Sequence, residues 1–308
     1  MKIVVMGPGG VGGYFGARLA AAGNDVTFIA RGSHLEAMRT KGLRLDAELG
    51  PLTLDKVSVA ADAREVPKAD AVLFAVKMRD TESAAESLKG LVAGGATVFT
   101  FQNGVESADR VGRVVGPGHV VPGVARIGSH ISEPGVIKQI GKFASLAFGE
   151  VDGQESPRVT AFYNACKAAG FDVAINPRIQ HELWMKFAML APLAALTGIT
   201  RTSIGPIRDN PATRALLDAA VEETIAVGVA LKTGLEPGDA AKIKKIHDGL
   251  PRAMMASMAH DLVSGKPIEL DGLSGAVSRL GARVGVATPT HSFVAQALAP
   301  FVNGQPKV

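Results

Sequence analysis

The sequence predicts an α/β protein in which a doubly wound, mostly parallel sheet is followed by a domain made of helices. Strand and helix patterns alternate over about the first 175 residues, which is the order of a parallel sheet covered on both faces. After Asn176-Pro177 the strand patterns stop, and apolar residues recur at helical spacing. We therefore predict two domains, residues 1–176 and residues 177–308.

A glycine-rich turn joins the first strand pattern to the first helix pattern. The apolar run at residues 2–6 leads directly into GPGGVG at residues 7–12, and residues 14–22 continue with helical spacing. This order is the fingerprint of a Rossmann-type dinucleotide site, because glycines allow a tight turn and helix N–H groups can hold the pyrophosphate. The cofactor-binding residues predicted in this turn are Gly7, Gly9, Gly10, Val11 and Gly12.

The end of the second predicted strand, residues 25–30, indicates which dinucleotide is bound. An NAD site usually carries an acidic residue there for the ribose 2′-hydroxyl, but this chain has ARGSH at residues 30–34. An arginine side chain matches a phosphate group with two parallel hydrogen bonds. Arg31 therefore predicts NADPH rather than NADH.

Two further strand patterns end in polar residues. Residues 71–76 form a continuous apolar run, and residues 96–101 have the pattern of another strand buried on both faces. The first is followed by Lys77 and the second by Gln102-Asn103-Gly104. Ligands of open parallel sheets bind at the carboxyl ends of the strands. We therefore expect Lys77 and Asn103 to lie beside the cofactor site.

The rest of the first domain is predicted with less detail. Residues 43–45, 52–54 and 57–59 have the pattern of short strands or an edge hairpin. Residues 120–127, 136–140 and 145–148 predict three more short strands, which suggests an antiparallel extension of the sheet. Residues 81–91 and 158–169 predict helices, and residues 171–175 predict the last strand.

Helical spacing in the second domain covers six segments, at residues 178–196, 213–231, 239–245, 254–262, 270–284 and 292–301. A nucleotide domain followed by a helical domain predicts a cleft that holds the substrate. Lys186 lies on the apolar stretch 183–189, where desolvation makes an ammonium a usable acid near neutral pH.

Composition excludes several classes of protein. The chain is 47% hydrophobic and 20% charged, and its net charge of +4 comes from scattered residues, so a nucleic-acid partner is not indicated. One cysteine, Cys166, excludes an intrachain disulfide and a Cys-rich metal site and fits a reducing cytoplasm. The histidines show no metal-ligand spacing, and we see no apolar run of membrane-spanning length. We expect a cytoplasmic protein with no metal and no membrane.

Several motifs together resemble the ketopantoate reductase (2-dehydropantoate 2-reductase) family over nearly the whole chain. They include the glycine turn, Arg31, Val76-Lys77, Gln102-Asn103-Gly104, Trp184-x-Lys186, Ser257-Met258-x-x-Asp261 and Pro267-x-Glu269-x-Asp271. The resemblance implies NADPH-dependent reduction of a 2-oxo acid to a 2-hydroxy acid, with ketopantoate and pantoate as the expected pair. It also implies functions for individual residues.

By this resemblance Lys186 is the general acid, and Asn103 contacts the substrate and the nicotinamide ribose. Glu269 lines the active site, and Ser257 binds the substrate carboxylate. The resemblance likewise implies that Arg31 and Lys77 contact NADPH. The residues alone also allow Ser257 to be an ordinary helix serine and Glu269 to complement a helix dipole.

The chain departs from the family where the substrate is expected. Family members carry asparagines four and eight residues after the lysine, and these positions are Leu190 and Ala194 here. The loss of two amides predicts a more apolar pocket, so a different, more apolar 2-oxo acid is the alternative to ketopantoate as substrate. Another hydroxyacid dehydrogenase and a non-catalytic NADPH-binding sensor stay open as alternatives, as does a homodimer built on the apolar helices.

Overall fold

A computed structural model describes residues 1–306. By their contacts these residues form two compact units: one contains Met1–Gln102 and Glu106–Ile179, and the other contains Asn103–Val105 and the residues from Gln180 onward. The first unit holds all of the described strands, and in the second every described element is a helix. The predicted fold class is thereby confirmed.

The sheet of the first unit has ten strands. They are β1 (Lys2–Met6), β2 (Asp25–Ile29), β3 (Leu43–Ala47), β4 (Leu52–Leu54), β5 (Ser58–Ala60), β6 (Ala71–Phe74), β7 (Thr97–Thr100), β8 (Val120–Glu133), β9 (Val136–Phe148) and β10 (Asp172–Ile175). Their order is β4-β3-β9-β8-β7-β6-β1-β2-β5, with β10 paired to β9. β3 pairs with β4, and β8 with β9, in antiparallel fashion, whereas the other described pairings are parallel.

One part of the predicted sheet is wrong. The three short strands expected over residues 120–148 are two long strands, β8 and β9, which form one hairpin. The sequence pattern breaks because the pairing shifts register at Ile127/Gly128 and again at Ile131/Glu133. The turn itself lies at Glu133-Pro134-Gly135, where Gly135 has a φ of +81°.

The helices of the first unit are α1 (Gly10–Ala21), α2 (Gly32–Lys41), α3 (Thr81–Ser87), α4 (Lys89–Ala93), α5 (Ser107–Val115) and α6 (Pro157–Ala168). One face of the sheet packs against apolar residues of α1, α2 and α6, and the other face against α3, α4 and α5. The single helix expected at residues 81–91 is the pair α3 and α4. Cys166 of α6 is fully buried, and burial raises the pKa of its thiol, so it is a core residue.

The second unit contains α7 (Ile179–Thr200), α8 (Ile204–Asp209), α9 (Pro211–Ala230), α10 (Asp239–Gly249), α11 (Ser257–Val263), α12 (Ser274–Val284) and α13 (Pro289–Leu298). All six predicted helices are present, with ends shifted by at most four residues. Helix α8 was not predicted, because Gly205-Pro206 is typical of a break between two helices. Pro206 lies in the first turn of α8, where a missing N–H costs no helical hydrogen bond.

Helix α7 contributes many residues to the second unit's core. It has 22 residues, and the mean hydropathy of its 18-residue apolar stretch is 1.4, so by length and composition it could cross a membrane. The expectation that the chain has no apolar run of this length is therefore wrong. However, 67% of this apolar stretch is buried inside the protein. Trp184, Phe187 and Leu196 are among its core residues, and packing against the surrounding helices accounts for its composition.

Candidate active site

The glycine turn lies where three parallel strands end. Gly7 follows β1 with a φ of +88°, and a Cβ there would lie 2.9 Å from the Cγ1 of Val76, which follows β6. The Gly7 N–H donates to the carbonyl oxygen of Ile29 at the end of β2, at 3.4 Å. Only glycine fits this position, and its tight turn brings the ends of β1, β2 and β6 together.

The amino terminus of α1 is open for an anion. Its first N–H groups, including those of Gly10 and Val11, have no helical partners, and its N-cap Gly9 provides no side-chain cap. A Cβ on Gly9 would meet no protein atom within 4 Å, whereas one on Gly10 would lie 2.3 Å from the backbone carbonyl oxygen of Ser129 in β8. A Cβ on Gly12 would lie 2.3 Å from the Gly7 oxygen, so this glycine allows helix and strand to pack closely. The turn therefore leaves space above Gly9 for a phosphate group.

Arg31 lies just beyond β2, where it is the N-cap residue of α2. It is exposed, and within residues 1–306 its guanidinium forms no ion pair. The pKa of the Asp62 carboxyl is lowered to about 2, chiefly by hydrogen bonding to Arg64, with a smaller coulombic effect of Arg31. Because Asp62 is paired with Arg64, the Arg31 guanidinium is available to a phosphate.

A buried glutamine fixes the loops that carry the predicted polar residues at the ends of β6 and β7. The Gln102 amide nitrogen donates to the Val76 carbonyl oxygen and to the Thr81 hydroxyl, each at 2.9 Å, and its oxygen accepts from the Ser107 hydroxyl. Lys77 follows Val76 and is exposed. Gln102 precedes Asn103, so one amide orders both loops. No local sequence pattern indicates this function, because the partners of Gln102 are up to 26 residues away in the sequence.

We expect Gln102→Leu to lower the free energy of unfolding by roughly 1–3 kcal/mol, because it leaves buried polar partners without a hydrogen bond. Urea unfolding measures this change. The exposed Gln154 offers a matched control, and Gln154→Leu should stay within about 0.5 kcal/mol of the wild type. A Gln102→Leu variant as stable as that control would contradict this account of the network.

Lys186 and Asn103 come together within the second unit. The Lys186 Nζ donates to the Asn103 Oδ1 at 3.0 Å, although 83 residues separate them in the sequence. Both side chains are half-buried. The amide oxygen therefore helps to hold the ammonium in place.

The face of α7 that carries Lys186 continues through apolar positions. Leu190 and Ala194 follow at intervals of four residues, and Thr197 lies three residues further along the same face. The Thr197 hydroxyl accepts the N–H of Ala256 at 3.4 Å, which sets the start of α11 against α7. Ser257, the first residue of α11, is exposed next to this contact.

A proline interrupts α7 between Leu190 and Ala194. Pro192 has no N–H to donate along the helix, and the nearby Met189 carbonyl oxygen accepts a hydrogen bond of 2.8 Å from the His247 Nε2 of α10. Burial lowers the pKa of His247, which keeps its ring neutral at neutral pH. Glu269, the remaining predicted residue, is half-buried between the buried Ile268 and Leu270, in the segment between α11 and α12.

Two family models match successive parts of the chain. The model described as "Ketopantoate reductase PanE/ApbA" matches residues 3–153. The model described as "Ketopantoate reductase PanE/ApbA C terminal" matches residues 178–301. A 2-dehydropantoate 2-reductase of Mesorhizobium japonicum is 34% identical over 315 residues, and the alignment covers 94% of each chain.

Solved structures show the same likeness. A PanE/ApbA family ketopantoate reductase from Ralstonia eutropha JMP134 has a TM-score of 0.89 and 31% identity, with 98% of each chain covered. A D-mandelate dehydrogenase, solved with NADH and anilino(oxo)acetate, has a TM-score of 0.87 over 98% of each chain. Its 21% identity shows a shared fold alone.

Proposed function

Because this chain belongs to the ketopantoate reductase family and is thus an oxidoreductase, we propose that it reduces a 2-oxo acid to a 2-hydroxy acid with NADPH. The first substrate to consider is 2-dehydropantoate, which would become pantoate. The observation that carries this proposal is the 3.0 Å hydrogen bond between the Lys186 Nζ and the Asn103 Oδ1. It provides an oriented proton donor within the apolar stretch 183–189 of α7.

Lys186 serves as the general acid in this proposal. When bound, the cofactor would supply a hydride to the carbonyl carbon of the substrate. As the C=O bond becomes a single bond, negative charge collects on the oxygen, and the Lys186 ammonium stabilises it and then donates a proton. Asn103 orients the ammonium, and the neutral amine that remains recovers a proton from water.

The cofactor is assigned to residues 1–176 and the substrate to residues 177–308. The open N-terminus of α1 suits the pyrophosphate, and Arg31, which has no ion pair within residues 1–306, suits the 2′-phosphate of NADPH. Lys77, at the end of β6, adds positive charge for the cofactor. Ser257 is assigned to the substrate carboxylate, and Glu269 to the lining of the active site.

A second candidate substrate is favoured by Leu190 and Ala194. These residues follow Lys186 on the same helix face and provide no hydrogen-bonding groups for substrate hydroxyls. The half-buried Leu190 side chain suits a 2-oxo acid with an apolar substituent, whereas Ala194 is fully buried in the core behind this face. The D-mandelate dehydrogenase with the same fold acts on an aryl hydroxy acid, so phenylglyoxylate is a suitable probe.

The test is to follow the near-ultraviolet absorbance of NADPH with 2-dehydropantoate, phenylglyoxylate and branched aliphatic 2-oxo acids. Turnover of 2-dehydropantoate with the highest kcat/KM supports the first substrate, and turnover of an apolar acid supports the second. Faster reduction of NADP by 2-hydroxy or 3-hydroxy acids would indicate another hydroxyacid dehydrogenase. Tight NADPH binding without turnover of any acid would contradict the proposal and favour a sensor.

We expect Leu190→Asn to raise the ratio of kcat/KM for 2-dehydropantoate to that for phenylglyoxylate by about tenfold. The added amide can pair with a substrate hydroxyl and is poorly solvated beside an aryl ring. The exposed Leu216 of α9 offers the control, since Leu216→Asn should leave the ratio unchanged. An unchanged ratio in Leu190→Asn would remove this residue from the substrate pocket.

A further inference from the structure

His34 connects three segments of the first unit that are distant in the sequence. It lies in the first turn of α2, three residues after Arg31. Its Nε2 lies 2.9 Å from the carbonyl oxygen of Pro8 in the glycine turn, and its Nδ1 accepts the N–H of Gly135 at 3.0 Å. Pro8 is 26 residues away in the sequence, and Gly135 is 101 residues away.

The two contacts determine the state of the imidazole ring. A carbonyl oxygen only accepts hydrogen bonds, so the Nε2 must carry a proton and donate it to Pro8. The Gly135 N–H only donates, so the Nδ1 must be unprotonated. The ring is therefore neutral, with its proton on the Nε2. Burial lowers the pKa of His34 against the opposing effect of the Pro8 hydrogen bond, in agreement with this state.

The partners of His34 are themselves fixed. The Gly135 carbonyl oxygen accepts the Arg44 N–H of β3 at 2.9 Å, which holds the β8–β9 turn. The Leu35 N–H donates to the Arg31 carbonyl oxygen at 3.3 Å, so the backbone is helical from Arg31 through His34. Pro8 immediately precedes Gly9, the N-cap of α1. A single imidazole thus joins the glycine turn to the segment that begins with Arg31.

We propose that His34 is a positioning residue for the dinucleotide, holding the Pro8 peptide so that the glycine turn presents its N–H groups to the pyrophosphate. The inference rests on the proposed NADPH function. His34 acts through Pro8 and takes no part in hydride or proton transfer. Both NADPH and NADH carry the pyrophosphate, so loss of the Pro8 contact should weaken both cofactors alike.

Two substitutions separate the contacts of His34. The amide of His34→Asn reaches only the position of the Nδ1, so it can keep Gly135 but loses Pro8. The longer His34→Gln side chain places its amide nitrogen near the position of the Nε2 and can donate to Pro8. The exposed His119 of the same unit serves as a control in His119→Gln.

We expect His34→Asn to raise the Kd of NADPH and of NADH in parallel, each by about fivefold to tenfold. The kcat at saturating NADPH should stay within about twofold of the wild type, because the hydride-transfer groups are untouched. His34→Gln should recover most of the affinity, and His119→Gln should bind like the wild type. Equal cofactor affinity in His34→Asn and His34→Gln, or a fall in kcat at saturation, would overturn the proposal.

A measurement on the wild type covers the case in which His34→Asn does not fold. Nitrogen NMR of the His34 ring in the NADPH complex should show the neutral tautomer with the proton on the Nε2. A charged ring or a proton on the Nδ1 would refute the proposed hydrogen bonds. A wild-type protein that binds neither cofactor would instead refute the proposed function.

Discussion

Replacing Lys186 by alanine should lower kcat by about a thousandfold or more while leaving the Kd of NADPH within about twofold. The substitution removes both the proton donor and the positive charge that stabilises the developing alkoxide, and each contributes roughly a hundredfold or more in comparable enzymes. Stopped-flow or steady-state assays with the best 2-oxo acid measure kcat. Fluorescence titration measures NADPH binding.

The control for this experiment is Lys245→Ala, which removes an exposed lysine of α10 in the same unit. It should keep normal kcat and KM. Asn103→Ala should also lower kcat, by a smaller factor, because the ammonium remains but loses the 3.0 Å contact that orients it. A Lys186→Ala variant that retains kcat would exclude Lys186 as the general acid.

Arg31→Ala should weaken NADPH binding by about thirtyfold and leave NADH binding within about twofold. Hydrogen bonds to a charged phosphate contribute roughly 1.5–3 kcal/mol to the binding free energy. NADH has no 2′-phosphate, so its binding does not include this contribution. Titration of the wild type and the variant with each cofactor gives the ratio of their Kd values for NADPH and for NADH. This pattern also differs from that of His34→Asn, in which both cofactors should be weakened equally.

Arg39 of the same helix, which is exposed and paired with Glu36, provides the matched control. Arg39→Ala should leave the Kd of both cofactors unchanged, since a surface ion pair contributes little. Equal losses for NADPH and NADH in Arg31→Ala would mean that this arginine does not select the 2′-phosphate. In that case the prediction of NADPH over NADH would be wrong.

Local sequence patterns were sufficient to predict the part of the fold to which the cofactor is assigned. β1, the glycine turn, α1 and β2 follow one another within thirty residues, and each has its own signal in composition or spacing. α2 was not predicted, because its polar sequence buries only Leu35 and Met38. The β8–β9 hairpin was predicted as shorter pieces, because its length depends on pairing between strands and on two register shifts.

In the candidate site, too, the sequence indicated individual residues but not the contacts between distant ones. Lys186, Asn103 and Arg31 could be singled out from strand ends, apolar surroundings and family resemblance. The contact between Lys186 and Asn103 could not, because it spans 83 residues. The structural functions of Gln102 and His34 were missed for a related reason, because each acts through hydrogen bonds to groups that are distant in the sequence. The individual functions assigned to these residues stay predictions.

The most direct test of the central claim uses NADPH that carries deuterium at both C4 positions. After incubation with the protein and the best 2-oxo acid, mass spectrometry and NMR of the product report where the label is. Our account predicts a 2-hydroxy acid with one deuterium at C2, formed by the wild type and not by Lys186→Ala. An unlabelled hydroxy acid, or unchanged 2-oxo acid beside tightly bound NADPH, would contradict it.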